Sequence, residues 1–183
     1  MTNKEKMLNG ELYSDDDIEL INDLSRARDL CFEYNNTLPS NKKLKAEILN
    51  KLLGKVGKNA TICQPFWCDY GYNIEIGDYF FSNYNLVILD CNKVTFGDYV
   101  FIGPNCSFNT PSHPLDSKTR NMFLESAYPI KVGNNVWFGA GVTVCPGVTI
   151  GDDVVIGAGA LVCEDIPSHS LAVGVPAKVI KKI

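Results

Sequence analysis

Two imidazoles, seven thiols and a scatter of carboxylates are the groups in this 183-residue chain whose types and spacing could do chemistry. His113 stands in Ser112-His-Pro114 within a stretch rich in Ser, Thr, Asn, Pro and charge. A neutral imidazole is the usual general base near pH 7, although an ordinary exposed loop histidine would read the same way. His169, in Pro167-Ser-His-Ser170, reads as a surface residue near the last turn. The seven cysteines are an odd number at irregular spacings with no CxxC pair. That argues against a disulfide framework and a zinc site, and for a reducing cytosol. Ser14-Asp-Asp-Asp17 reads as a helix N-cap with acidic residues over the first turn, so Asp15 is readable as nothing more than a capping acid.

The elements that must hold these groups follow from a repeat. From Val132 onward, apolar residues fall at every sixth position: Val132, Phe138, Val144, Ile150, Ile156 and Val162. Four residues after each comes a second small or branched apolar residue: Val136, Val142, Val148, Val154, Ala160 and Ile166. A period of six fits neither the 3.6 of a helix nor a long alternating strand; it suits a short strand and a turn, repeated. Glycine recurs after the anchor, where a turn without a Cβ penalty is expected. Hexapeptide repeats are a signature of parallel β-helices. Each hexapeptide then forms one flat face, three faces close a triangular coil, and coils stack at about 4.8 Å. Val132 should stack on Ile150, Phe138 on Ile156, and Cys145 beside Cys163. The register runs backwards through Phe96, Ile102 and Phe108, and through Ile76, Ser82 and Ile88. The spacing from Ile76 to Phe96 leaves a two-residue bulge around Asn92-Lys93. Val56 and Ile62 open the coil, and residues from about 109 to 129 read as a loop thrown out of it.

Residues 1–54 differ in character. Ile18, Ile21, Leu24, Cys31 and Phe32 mark one helical face. After a break at Pro39-Ser40, Leu44, Ile48, Leu49, Leu52 and Leu53 mark a second amphipathic helix ending at Gly54. The chain therefore divides into a helical cap, residues 1–54, and a coil, residues 55–183.

Asn134-Asn-Val-Trp137-Phe-Gly, Pro146-Gly-Val-Thr-Ile-Gly151, Gly174-Val-Pro-Ala-Lys-Val179, Cys68-Asp-Tyr-Gly-Tyr-Asn-Ile74 and Ser112-His-Pro-Leu-Asp116 carry a resemblance. So does the cap from Lys6-Met7-Leu8. The chain resembles the maltose and galactoside O-acetyltransferases of the hexapeptide acyltransferase superfamily. The resemblance implies a left-handed parallel β-helix, acetyl-CoA as acetyl donor, a homotrimer with sites between subunits, and no metal. It puts the family's catalytic histidine on His113 and the sugar contacts on Asp15, Asp69 and Asn83, with Asp90 a weaker candidate. Galactoside relatives commonly carry serine at the place of Asp69, so the chain sides with the maltose type. Coenzyme contacts fall on Ala140, Ala158, Cys163, Glu164, Lys178 and Lys181. Relatives often have Thr-Lys where this chain has Cys163-Glu164. The C-terminal lysines are readable either as phosphate partners or as a solvated tail. Trp137 is expected on the coil face nearest the active loop, shaping the acetyl site or covering a neighbouring subunit.

The implied reaction is direct transfer of acetyl to a sugar hydroxyl, the 6-hydroxyl of maltose, glucose or a related glycoside. Other acceptors on the same coil, such as amino sugars, antibiotics or amino acids, and a non-catalytic assembly module are the alternatives. A γ-type carbonic anhydrase needs three histidines for its metal and the chain has two. A net charge of −4 speaks against a basic nucleic-acid-binding surface. Apolar stretches are broken by Gly and Pro, and the N-terminus offers no hydrophobic signal core, so a cytoplasmic protein without membrane contact is expected.

Overall fold

A computed structural model describes residues 1–183. Three parallel sheets form the walls of a coil, mainly β and of the left-handed parallel β-helix type. Face one stacks Lys55–Val56, Ile74–Ile76, Val94–Phe96, Ile130–Val132 and Thr149–Ile150. Face two stacks Thr61–Ile62, Phe81–Ser82, Phe101–Ile102, Trp137–Phe138, Val154–Ile156 and Ser170–Val173, closed by Lys178–Lys182. Face three stacks Phe66–Cys68, Leu86–Leu89, Ser107–Asn109, Thr143–Val144 and Leu161–Val162. The expected register holds: Val132 pairs with Ile150 and Phe138 with Ile156. Inward side chains form buried ladders, with Phe80, Phe96, Phe108 and Phe138 meeting edge to face at 5.0–5.2 Å between centroids, an arrangement aromatic quadrupoles favour.

Variation in coil length sits mainly on one edge, where face three turns into face one. Between the paired anchors of these faces lie residues 69–73 in the first coil, 89–93 in the second, 109–129 in the third and 145–147 in the fourth. The expected bulge at Asn92-Lys93 is thus one of two, since Val56 to Ile76 also spans twenty residues. The third corner is the expected excursion, and it is more ordered than a loop. Pro111–Ser112 and Leu124–Ala127 pair antiparallel, Tyr13–Ser14 adds a third strand, and a short helix, Ser117–Arg120, fills the tip.

The glycines that follow the anchors have a different cause from the one expected. Gly139 and Gly133 are not in left-handed backbone conformations. A Cβ on Gly139 would lie 2.5 Å from the backbone nitrogen of Ala158 in the next coil. Close approach of stacked backbones, not a positive φ, excludes side chains there.

Helices α1 (Asn3–Leu8), α2 (Ile18–Asn36) and α3 (Lys42–Leu52) precede the coil. Asp17 caps α2 by accepting from the Glu19 N–H at 2.9 Å, so Asp15 is not the cap. The buried face of α2 is Leu20, Ala27, Cys31 and Tyr34, whereas Ile18 and Phe32 are exposed. Cys31 keeps its expected place on this face, against Cys68, but the Tyr34 hydroxyl donating to the Ile62 carbonyl (2.6 Å) turns the helix so that Ile18, Ile21 and Phe32 leave it. One cluster of 36 buried residues runs from Ala27 in the cap to Ala177 at the far end of the coil.

Candidate active site

The excursion is held in place by packing that begins at the other end of the sequence. Met7, Tyr13, Leu20, Tyr70, Cys91 and Ala127 make a second buried cluster beneath it. Asn92, in the enlarged second corner, donates from its amide to the carbonyls of Met7 (3.1 Å), Leu8 (3.2 Å) and Ala127 (2.8 Å). One buried side chain thus ties α1 and the excursion to the coil, and the three carbonyls satisfy an amide that would otherwise be buried unpaired.

His113 stands on this platform with its side chain 59 % exposed, and its Nε2 lies 3.8 Å from Glu125 Oε2, whose side chain is 10 % exposed. Tyr13 donates its hydroxyl to the other carboxylate oxygen, Oε1. Tyr13 and Glu125 are paired residues of adjacent antiparallel strands, which is what brings them together across 112 positions. Burial raises the Glu125 carboxyl above its ordinary range and the charges of Asp15 and Asp69 add to that, while Tyr13 and His113 oppose it. A carboxylate facing one imidazole nitrogen favours the tautomer with its proton there, leaving the other nitrogen as a proton acceptor. Nothing in the sequence reading singled out Glu125. Its only signal is the four-residue alternation Leu124-Glu-Ser-Ala127, with Glu125 and Ala127 buried.

Beside this pair, Asp69 is half-buried, accepts from the Cys91 thiol at 3.5 Å, and has its carboxyl pushed up chiefly by burial. Asp15 is exposed, its N–H donating to the Phe123 carbonyl of the excursion at 3.2 Å. His113, Glu125, Asp69 and Asp15 therefore gather at one edge of the coil. Asp90 is a correction. It is fully buried, with its carboxylate accepting from the backbone N–H groups of Asp69 (3.0 Å), Tyr70 (2.9 Å) and Asn73 (3.3 Å). It holds the corner that presents Asp69 and has no face left for a ligand. Burial pushes its carboxyl up to about 7, against the pull of those amides.

The remaining candidates divide. Cys163 and Glu164 lie on the same edge as His113, in a later coil, where Glu164 pairs with Lys178 at 2.8 Å. Asn83, Ala140 and Ala158 lie on the edge between faces two and three, and Trp137 lies on face two, 57 % exposed between Phe101 and Val155. Within one chain, then, Trp137 is not on a face bordering His113, contrary to expectation, because the chain leaves face three for the excursion and returns to face one. Lys178 and Lys181 are no free tail: their strand pairs antiparallel with Ser170–Val173. The edge bearing Ala140 and Ala158 offers an open backbone ledge. Gly141 and Gly159 have φ of +70° and +71°, and a Cβ on either would meet nothing within 4 Å. An extended, amide-bearing ligand arm such as pantetheine fits a surface of that kind.

His169 is exposed, its Nδ1 3.5 Å from Asp153. No helix is long and apolar enough to cross a membrane.

Comparison with known proteins gives these edges a context. Residues 6–57 match the maltose acetyltransferase hexapeptide capping motif, and residues 129–164 match the bacterial transferase hexapeptide (six repeats). A Staphylococcus aureus (strain MRSA252) protein with a provisional acetyltransferase name is 50% identical over 184 residues, covering 100% of this chain and 92% of its own. The crystal structure of a maltose O-acetyltransferase from Clostridium difficile 630 superposes with a TM-score of 0.99 at 46% identity, covering 100% of this chain and 98% of its own. A galactoside acetyltransferase in complex with coenzyme A superposes with a TM-score of 0.97 at 39% identity, covering 100% and 92%. Cap, coil and excursion are shared along the whole chain, and the protein belongs to the hexapeptide-repeat acetyltransferases that carry a maltose acetyltransferase cap.

Proposed function

We propose that the protein is an acetyl-CoA-dependent O-acetyltransferase acting on a sugar hydroxyl, with His113 as general base. The observation that carries this reading is the imidazole of His113 on an open edge, backed by a buried carboxylate that Tyr13 anchors, with Asp69 and Asp15 beside it. His113 takes the proton of the acceptor hydroxyl, a primary 6-hydroxyl of maltose, glucose or a related glycoside, as its oxygen attacks the thioester carbonyl. Glu125 stabilises the imidazolium formed. His113 then gives the proton to the departing thiolate, which restores the neutral base. Asp69 and Asp15 accept hydrogen bonds from other hydroxyls of the acceptor, and Asn83 positions groups around the oxyanion. In acetyl transfer none of the seven cysteines acts as a nucleophile, since direct transfer needs no acyl-enzyme.

The coenzyme lies along the ledge at Ala140 and Ala158, near Trp137, with Lys181 at its far end and with Cys163, Glu164 and the Lys178 paired to it brought alongside on the His113 edge of the adjacent copy. In one chain that ledge is separated from His113 by the width of face three, so each site takes residues from two copies. The outward faces support a trimer. Face one shows Lys55, Glu75 and Lys131 to solvent, whereas Trp67 on face three and Phe101 and Trp137 on face two are apolar and exposed. A head-to-tail ring of three that turns face three toward the threefold axis sets the edge bearing His113 in one copy against the ledge of the next, beside its apolar face two.

Thiol release from acetyl-CoA across maltose, glucose, galactosides, amino sugars and chloramphenicol tests the reaction, with His113→Ala alongside. Acceptor-dependent release with a hexose or disaccharide is expected. Release that no acceptor accelerates, or an unimpaired His113→Ala variant, overturns it.

A further inference from the structure

We propose that Cys145 and Cys163 form a dithiol modification site, which closes to an intramolecular disulfide by exchange with a small-molecule disulfide. This does not rest on the acetyl-transfer reading. The two sulfurs are 3.4 Å apart. The strands preceding them pair Thr143 with Leu161 and Val144 with Val162, and the Cys145 N–H donates to the Val162 carbonyl at 2.9 Å, so the two residues are opposite one another in adjacent coils. Strand spacing then sets their backbones about 4.8 Å apart, inside the range of about 4.4–6.8 Å that a disulfide bridges. Closing the gap takes side-chain rotation and a small approach of the two corners, since a disulfide brings the Cβ atoms to about 3.5–4.5 Å.

Accessibility and proximity together separate this pair from the chain's other thiols. Cys163 is exposed and Cys145 and Cys63 are half-buried, but Cys63 has no thiol beside it, and Cys31, Cys68, Cys91 and Cys106 are buried. Cys31 and Cys68 also approach, at 3.7 Å, but between α2 and the coil, where a reagent cannot reach them. No group of three or more His, Cys, Asp or Glu is placed to hold a metal ion, so the chemistry open to the exposed pair is that of two thiols.

The two thiols have distinct parts. Cys163, as thiolate, attacks one sulfur of the small disulfide, forming a mixed disulfide and expelling one thiolate. Burial and the neighbouring Cys163 hold the Cys145 thiol up at about 11. Once Cys163 is capped its negative charge is gone, and that part of the penalty on Cys145 goes with it. Cys145 then loses its proton, attacks the Cys163 sulfur, and expels the second small thiolate. Two protein thiols are oxidised by two electrons and the small disulfide is reduced to two thiols. An in-register bridge between neighbouring strands on an exposed edge belongs to the readily reduced, reversible kind.

The test uses the full-length protein with oxidised glutathione, followed by alkylation and peptide mapping under non-reducing conditions. The wild-type protein should lose two hydrogens and yield a Cys145–Cys163 linked peptide that dithiothreitol reverses, with Cys31 and Cys68 alkylated only after unfolding. Cys145→Ser should stop at a stable glutathione adduct on Cys163, and Cys163→Ser should stay unmodified. A persistent adduct on wild-type Cys163, a link between chains in place of the internal one, or no linkage at all overturns the proposal. Because the wild-type mapping stands alone, a variant that folds poorly does not decide it.

Discussion

Two buried contacts decide what His113 can do. Glu125 faces it at 3.8 Å and Tyr13 holds the far oxygen of that carboxylate. Removing the proposed base in His113→Ala should cost about 10²- to 10⁴-fold in kcat/KM with an unchanged circular dichroism spectrum. Tyr13→Phe keeps the ring and deletes the hydroxyl. Loss of that donor raises Glu125 further. The acid limb of the pH–kcat/KM profile therefore moves to higher pH, because the active form needs ionised Glu125. Asp15 and Asp69 also raise Glu125, and Cys91 lies beside it, so these groups shape the same limb and must be left intact in the comparison. An unshifted profile in Tyr13→Phe would show that Tyr13 only packs. His113 could be chosen from the sequence because imidazoles are scarce and loops outside a repeat stand out. Glu125 and Tyr13 could not, since their pairing is a strand register between segments 112 positions apart.

At the scale of elements, the edge between faces three and one carries both the irregular corners and the site. Asp90 organises the first of these corners through three backbone amides. Its carboxyl is raised to about 7, so the folded state holds that proton at pH values where the unfolded chain has released it. The stability this supplies is complete below the ordinary aspartate range, about pH 4, and is lost as pH rises toward 7. Asp90→Asn should flatten the Tm-against-pH curve over that window; an unchanged slope would show that Asp90 is not its source. Gly139→Ala should destabilise the coil by about 1–3 kcal/mol, read by chemical denaturation, because its Cβ would meet the next coil's backbone at 2.5 Å. The recurrence of glycine was legible in the repeat, but its cause was not. A repeat shows that a Cβ is unwelcome at a position without showing whether torsion or a neighbouring backbone excludes it. The face of α2 was misjudged for a related reason. Its periodicity admits several rotations, and hydrogen bonds to the coil select one.

At the scale of the whole molecule, the implied site residues occupy two edges of the prism, so the proposed reaction needs a second copy. Light scattering with size-exclusion chromatography should give a trimer, and a monomer with full activity would remove the shared-site proposal. A sharper check mixes His113→Ala with Asn83→Ala chains. Random assembly of a trimer with shared sites restores about a quarter of the sites, whereas single-chain sites restore none. The repeat of six by itself determined the coil, its register and the place where the chain leaves it. That information is local, because each hexapeptide must turn one apolar side chain inward and hand the next to the coil above. Which acids reach His113, that Asp90 faces a corner's amides and not a ligand, and that Trp137 and His113 stand on different sides of one chain were decided only by tertiary structure. Those facts depend on which segments pair across the excursion and on the edge from which it emerges, and a periodic sequence is nearly the same on all three faces.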